Sequence, residues 1–203
     1  MHHISAAILA GGKGRRIGGA NKALLQLKGE SFLRRITCQL QQFDEIILST
    51  GDEQTYREAN NLNNLNITVV KDHYKNCGPM SGLYSSLKAC HSDWLFVACC
   101  DMPLLSKELV DYLISHISTD YNAFIAVTRD GRTHPYCGIY NKCSADIFKK
   151  NIHTNHLRIM DILSHLKVMT IPLNHTVYPD ILLSNINTED DYINLMRKID
   201  GYL

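Results

Sequence analysis

Residues 9–22 read Leu-Ala-Gly-Gly-Lys-Gly-Arg-Arg-Ile-Gly-Gly-Ala-Asn-Lys, with five glycines and four cations in fourteen positions. Glycine lets the backbone approach a ligand closely and leaves its N–H groups unobstructed. Lys13, Arg15, Arg16 and Lys22 add positive charge, and no acid among them cancels it. Such a loop suits a polyanion, for example a nucleoside triphosphate. It is not a Walker A loop, because G-x-x-x-x-G-K-[ST] is absent. A dinucleotide fingerprint begun at Gly12-Lys13-Gly14 fails at its last position, which is Ile17. The cations are therefore the informative part, with Arg16 and Lys22 as clamps on phosphate. A solvated basic loop is the competing reading of this segment alone.

Three other segments carry chemistry. Asp101 follows the apolar run Trp94–Cys100 and precedes Met102-Pro103. A carboxylate there is costly unless it is hydrogen-bonded or bound to a cation. Mg²⁺, which takes oxygen ligands and substrate phosphates, would satisfy it, and so would a simple turn. Asp72 stands six residues before Gly78-Pro79-Met80-Ser81-Gly82. Its carboxylate could accept both N–H groups on the edge of guanine, or it could be a turn aspartate between Lys71 and Lys75. Asn185 and Asn187 alternate in Asn185-Ile186-Asn187-Thr188, where amide oxygens could reach a metal or phosphate, or act only as caps. The histidines are scattered, and only His134, before Pro135, stands out. There is no H-E-x-x-H and no G-x-S-x-G elbow.

Short apolar runs must position these segments. Ile4–Ala10, Glu45–Thr50, Ile67–Val70, Trp94–Cys100, Ala123–Thr128 and His134–Tyr140 read as strands. The run from Trp94 is apolar on both faces, as in a central parallel strand. Between the strands, Leu33, Ile36 and Leu40 share one helical face, and Val110, Leu113, Ile114 and Ile117 share another. Ser106 is the expected N-cap of the second helix, Gly78–Gly82 opens a helix, and Thr188-Glu189-Asp190-Asp191 resembles a capping box. The alternation predicts a three-layer α/β/α Rossmann-like fold with a mostly parallel sheet, and a less regular stretch from Arg129 to Pro179. In such sheets ligands bind beyond the carboxyl ends of the strands. Gly11–Lys22, Lys71–Gly82 and Asp101-Met102-Pro103 all fall there.

The 203 residues suffice for one domain with a sizeable core. A formal net charge of +1 gives no global pull toward nucleic acid or membrane, so the loop cations are a local concentration. Seven cysteines, an odd number without C-x-x-C, predict reduced thiols, mostly buried, in a cytoplasmic protein. No signal peptide and no 18-residue apolar span is legible.

Taken in order, LAGGKGRRIGGANK, KDHYKNCGPMSG, CCDMP, RTHPYCG and NINTEDD resemble the molybdenum cofactor guanylyltransferase (MobA) family within the nucleotidyltransferases. The first segment is shared more widely, and the later ones narrow the resemblance. It covers nearly the whole chain, as a single nucleotidyltransferase domain with a nucleotide-binding half (about 1–120) and a second-substrate half (about 121–203). It implies transfer of GMP from GTP to the terminal phosphate of molybdopterin, or molybdenum-molybdopterin, with release of pyrophosphate and with Mg²⁺ as cofactor. Other cofactor-biosynthesis proteins or apo-molybdoenzymes are the implied protein partners. The nucleotide positions carried over are Leu9, Ala10, Gly11, Gly12, Lys22, Ser49, Asp72, Gly78 and Asp101. The catalytic set is Arg16, Lys22 and Asp101, and the metal set is Asp101 and Asn187. Arg132, His134, Asn185 and Asn187 are assigned to the second substrate. The chain departs from the family at Asn21, where aspartate usually precedes the clamp lysine, and at Ser49, where asparagine is common. A cytidylyl- or sugar-phosphate nucleotidyltransferase and a non-catalytic molybdopterin- or GTP-binding module are the alternatives.

Overall fold

A computed structural model describes residues 3–11, 16–17, 20–58, 67–174 and 176–199. Its centre is a seven-stranded sheet of order β11-β9-β10-β8-β1-β6-β7. The strands are β1 (Ile4–Leu9), β6 (Ile46–Thr50), β7 (Ile67–Lys71), β8 (Trp94–Cys99), β9 (Ala123–Val127), β10 (Thr133–Asn141) and β11 (Val168–Pro172). β10 runs antiparallel to both β8 and β9, and every other pairing is parallel. The expected mostly parallel sheet is therefore present.

β1 and β8 carry side chains into both halves of the core. Ala6, Ile8, Trp94, Phe96 and Ala98 face one layer, with Leu33 and Ile36 of α1 (Phe32–Gln39) and Leu109, Val110 and Leu113 of α4 (Lys107–Ile114). Ala7, Leu9, Leu95 and Val97 face the other, with Met80, Leu83 and Leu87 of α3 (Pro79–Ala89) and Phe148 and Ile152 of α5 (Ala145–His153). This two-sided burial explains the unbroken apolar run in β8. Ser106 caps α4, accepting from Leu109 N–H at 3.3 Å. Thr188 and Asp191 exchange backbone-to-side-chain bonds of 2.9 and 3.1 Å at the start of α7 (Glu189–Ile199), the expected capping box.

Two features were not legible in the sequence. β11 is short and ends in Pro172, which an edge strand tolerates because its ladder is one-sided. The segment read as a loop contains the hairpin of β2 (Arg16–Ile17) and β3 (Ala20–Asn21), and β4 (Gln26–Leu27) pairs with β5 (Glu30–Ser31) soon after. The cysteines are free, but only Cys90 and Cys137 are buried, while Cys143 is exposed and the other four are intermediate. That is less burial than composition suggested. No helix among the described residues is long and apolar enough to cross a membrane.

Candidate active site

Strand order reverses at β1. The chain moves outward through β6 and β7, then returns to place β8 on the other side of β1. The carboxyl ends of β1 and β8 thus form a switch point, where an open α/β sheet leaves a crevice. Cys100 N–H donates to Leu9 C=O at 3.1 Å, which ties the two strand ends together.

On one side of this crevice lie Gly11, Ser49, Asp72 and Gly82. Asp72 N–H donates to Thr50 C=O at 2.9 Å, and Ser49 Oγ donates to Asp72 Oδ1 at 2.7 Å. Ser49 is fully buried, so its hydroxyl serves Asp72 and is not presented outward. A Cβ on Gly11 would stand 2.5 Å from Asp72 Oδ2. The glycine is therefore required by the carboxylate beside it. A Cβ on Gly82 would meet Leu9 Cδ2 at 3.3 Å, Ser49 Oγ at 3.5 Å and Asp72 Oδ1 at 3.6 Å. Gly82 thus joins Asp72, a position that the residue-type signal of two nearby glycines left undecided. Gly78 has another reason to be glycine. Its φ is +59° at the N-cap of α3, and nothing lies within 4 Å of a Cβ there.

On the other side lie Lys22, Asp101, Asn185 and Asn187. Lys22 sits in a 3₁₀ turn (Lys22–Leu24), is only 5% exposed, and donates from Nζ to Asn187 Oδ1 at 2.9 Å. Asp101 C=O accepts from Ile186 N–H at 2.8 Å, so the late asparagines are pinned against the end of β8. Asp101 Oδ1 and Asn185 Oδ1 are buried and have no hydrogen-bond partner. Burial raises the Asp101 carboxyl above its ordinary value, and the Lys22 ammonium only partly offsets this. Two buried, unpartnered acceptor oxygens are donors of the kind a hard divalent ion takes, completed by phosphate oxygens. Asn187 Oδ1 is already engaged by Lys22, so Asn185 suits a metal better than the Asn187 expected from the resemblance. Among the described residues no group of three His, Cys, Asp or Glu side chains could hold a metal alone.

Asn21 is well accounted for. Its Oδ1 caps Ala23 N–H at 3.0 Å and its Nδ2 donates to the Tyr56 hydroxyl at 3.0 Å. The amide therefore does local work that starts the turn carrying Lys22. Gly12 lies outside the described residues, and Arg16 is described only by its place in β2.

Arg132 and His134 are not in the crevice core. They line a separate cleft of about 410 Å³ with Thr128, Asp130, Asp180 and Ser184. Thr128 Oγ1 donates to Asp130 Oδ1 at 2.6 Å and lies 3.3 Å from His134 Nε2. Burial first, and then the Arg132 charge, lower the His134 pKa. A smaller cleft of about 230 Å³, lined by Asn185 and Asp191, shares Ile181 and Ser184 with it. The residues that the resemblance gives to the second substrate thus divide into Asn185 and Asn187 near Asp101, and Arg132 and His134 one cleft away.

The fold and this crevice define a nucleotidyltransferase-type α/β protein. The chain matches the family described as MobA-like NTP transferase domain over residues 6–167 and belongs to that family. A curated protein of Clostridium perfringens named "probable molybdenum cofactor guanylyltransferase" is 34% identical over 199 residues, covering 96% of each chain. A protein of Carboxydothermus hydrogenoformans with the same name is 28% identical over 97% of each. The crystal structure of molybdopterin-guanine dinucleotide biosynthesis protein A from Archaeoglobus fulgidus superposes with a TM-score of 0.80, covering 98% of this chain and 100% of that one at 24% identity. The last comparison speaks to the fold.

Proposed function

We propose that this protein transfers GMP from GTP to the terminal phosphate of molybdopterin, with or without bound molybdenum, and releases pyrophosphate. The observation that carries the reading is the half-buried Asp101 carboxylate, with Oδ1 buried and unpartnered, next to Lys22 at the β1/β8 switch point. The names of the relatives support the choice of substrates.

An acceptor phosphate oxygen attacks the α-phosphorus of GTP. The bond from that phosphorus to the bridging oxygen breaks, and pyrophosphate leaves with the electron pair. The acceptor is already an anion at neutral pH, so the chain need not supply a general base or a covalent nucleophile. What it supplies is positioning and charge. Gly11, Gly82 and Asp72 hold the base, with Ser49 orienting the Asp72 carboxylate. Lys22 and Arg16 draw the phosphates and meet the charge that develops on the leaving group. Asp101 and Asn185 would hold Mg²⁺, which when bound supplies further neutralisation of phosphate oxygens. Asn187 fixes the Lys22 ammonium. Residues up to about 120 form the nucleotide half. The later half, with Arg132 and His134 in the larger cleft, takes the pterin substrate. The free cysteines support a reducing compartment, the cytoplasm.

The test is a panel of ATP, CTP, GTP and UTP with molybdopterin and Mg²⁺, scored by pyrophosphate release. GTP is expected to be preferred. Turnover with CTP and none with GTP overturns the guanine assignment. GTP binding without any turnover points instead to a binding module.

A further inference from the structure

The geometry points to Tyr56, a residue outside the crevice, as a positioning residue for Lys22 that acts through Asn21. The inference rests on the proposed role of Lys22 as phosphate clamp, but its physical content is local.

Lysine is a poor clamp unless something holds it. Its four-carbon stem has many rotamers, and ordering it costs conformational entropy. Asn187 holds the ammonium end, at 2.9 Å. The backbone end is held by the 3₁₀ turn Lys22–Leu24, whose first free N–H, that of Ala23, is capped by Asn21 Oδ1 at 3.0 Å. A short turn with a single cap has little stability of its own. The β2–β3 pairing holds the Asn21 backbone, and its side-chain amide, which makes the cap, needs a partner of its own to be fixed.

Tyr56 provides that fixing. It lies in α2 (Glu53–Glu58), between β6 and β7, thirty-five residues from Asn21. Its ring is 1% exposed and packs in the same core layer as Ala23 and Ala10. Its hydroxyl accepts from Asn21 Nδ2 at 3.0 Å and lies 3.2 Å from Asn21 Oδ1, within reach to donate. The rigid ring thus sets the amide plane. The amide oxygen then sets the turn, and the turn aims Lys22 at Asn187 beside Asp101. Asparagine rather than aspartate fits this arrangement, because only the amide can donate to the hydroxyl while its oxygen caps the turn.

The test has two readouts. The first is the rate at which each lysine is acetylated by an N-hydroxysuccinimide ester, followed by mass spectrometry. Lys22 should label slowly in the native protein and several-fold faster in Tyr56→Phe, with the exposed lysines unchanged. Ile36→Val, a core change matched for loss of Tm, should leave Lys22 protected. The second is a kinetic cycle with GTP. Tyr56→Phe should lower kcat about tenfold, the loss expected for one hydrogen bond to a positioned group, with KM changed less. In a Lys22→Met background Tyr56→Phe should cost nothing further. Asn21→Asp, which keeps an acceptor for both Ala23 N–H and the Tyr56 hydroxyl, should remain sensitive to Tyr56→Phe, whereas Asn21→Leu should not. Unchanged labelling of Lys22 in Tyr56→Phe overturns the inference, as does an equal loss of kcat with and without Lys22. If the native protein shows no guanylyl transfer, the proposed function falls, and the labelling experiment still decides whether Tyr56 positions Lys22.

Discussion

The two sides of the sheet present polar groups in opposite ways. At the ends of β1 and β8 the crevice groups are buried or half-buried, with only Asn187 exposed. Lys22 is 5% exposed, Ser49 is fully covered, and one oxygen of Asp101 is sealed without a partner. Around β9 and β10 the polar groups line the wall of an open cleft, where Arg132 is exposed and His134 half-buried. A buried charge is held in one place and pays a desolvation penalty that a ligand can relieve. A charge on an open wall is screened and adaptable. The first arrangement suits bond-making between phosphates, and the second suits recognition of a bulky, polar second substrate.

The comparison is broken most directly at Asp101. Asp101→Asn should lower turnover by at least about 10²–10³-fold, the loss seen when an electrostatic stabiliser is removed. It should also raise Tm at neutral pH. Burial lifts the folded pKa of this carboxyl above its ordinary 3.8. The native state therefore holds the proton more tightly than the unfolded chain, and stability is lost as pH rises from about 3.8 through the folded value. Neutralising the group removes that loss. A pyrophosphate assay paired with thermal melts checks both, and a fall in Tm would show that Asp101 is structurally satisfied after all.

Lys22→Met comes next, with an expected loss on the order of 10²–10³ in kcat and a smaller change in KM for GTP. A raised KM with kcat unchanged would make Lys22 a group that binds ground state and transition state alike. Gly11→Ala should raise KM for GTP about tenfold or more, because its methyl would stand 2.5 Å from Asp72 Oδ2 and displace that carboxylate. Gly82→Ala should do less, since its nearest obstacle is the movable end of Leu9 at 3.3 Å. Similar KM values for the two variants would argue against Asp72 as the base-reading group. Asp72→Ala itself should flatten the preference among the four nucleotides.

The smallest effect is expected in the open cleft. His134→Gln should alter KM for molybdopterin only a few-fold and leave KM for GTP unchanged. Burial and Arg132 hold the folded His134 pKa below its ordinary 6.5. The unfolded chain therefore takes up the proton first, and stability falls as pH drops below about 6.5 toward the folded value, then levels off. In His134→Gln that component of the acid sensitivity should vanish from a pH series of melts. A large change in KM for GTP would merge the two regions into one site.

Much of the crevice at the ends of β1 and β8 is readable from residue types. Strand, glycine loop and terminal acid are local patterns, and the same periodicity that buries β1 and β8 puts Gly11 and Asp101 at their ends. Gly82 was obscured because Gly78, four residues away, offered the same signal for a different reason, a positive φ. That Asn187 meets Lys22 is not legible in any local pattern, because the two are 165 residues apart in sequence. β11 was missed because an edge strand of five residues ending in proline carries no distinctive period.

The sequence alone determined the α/β alternation, the glycine-rich loop with its cations, and the acids at the strand ends. These depend on hydrophobic period and backbone freedom within a few residues. Tertiary structure decided which of these groups meet. The late asparagines reach Asp101 because α7 packs back on the first hairpins, with Leu195 and Ile186 against Leu27 and Phe32, and Tyr192 donating to Gln26 C=O at 2.6 Å. Burial is likewise a property of the whole packing. It leaves Asp101 Oδ1 and Asn185 Oδ1 without partners, the two oxygens on which the proposed Mg²⁺ site rests.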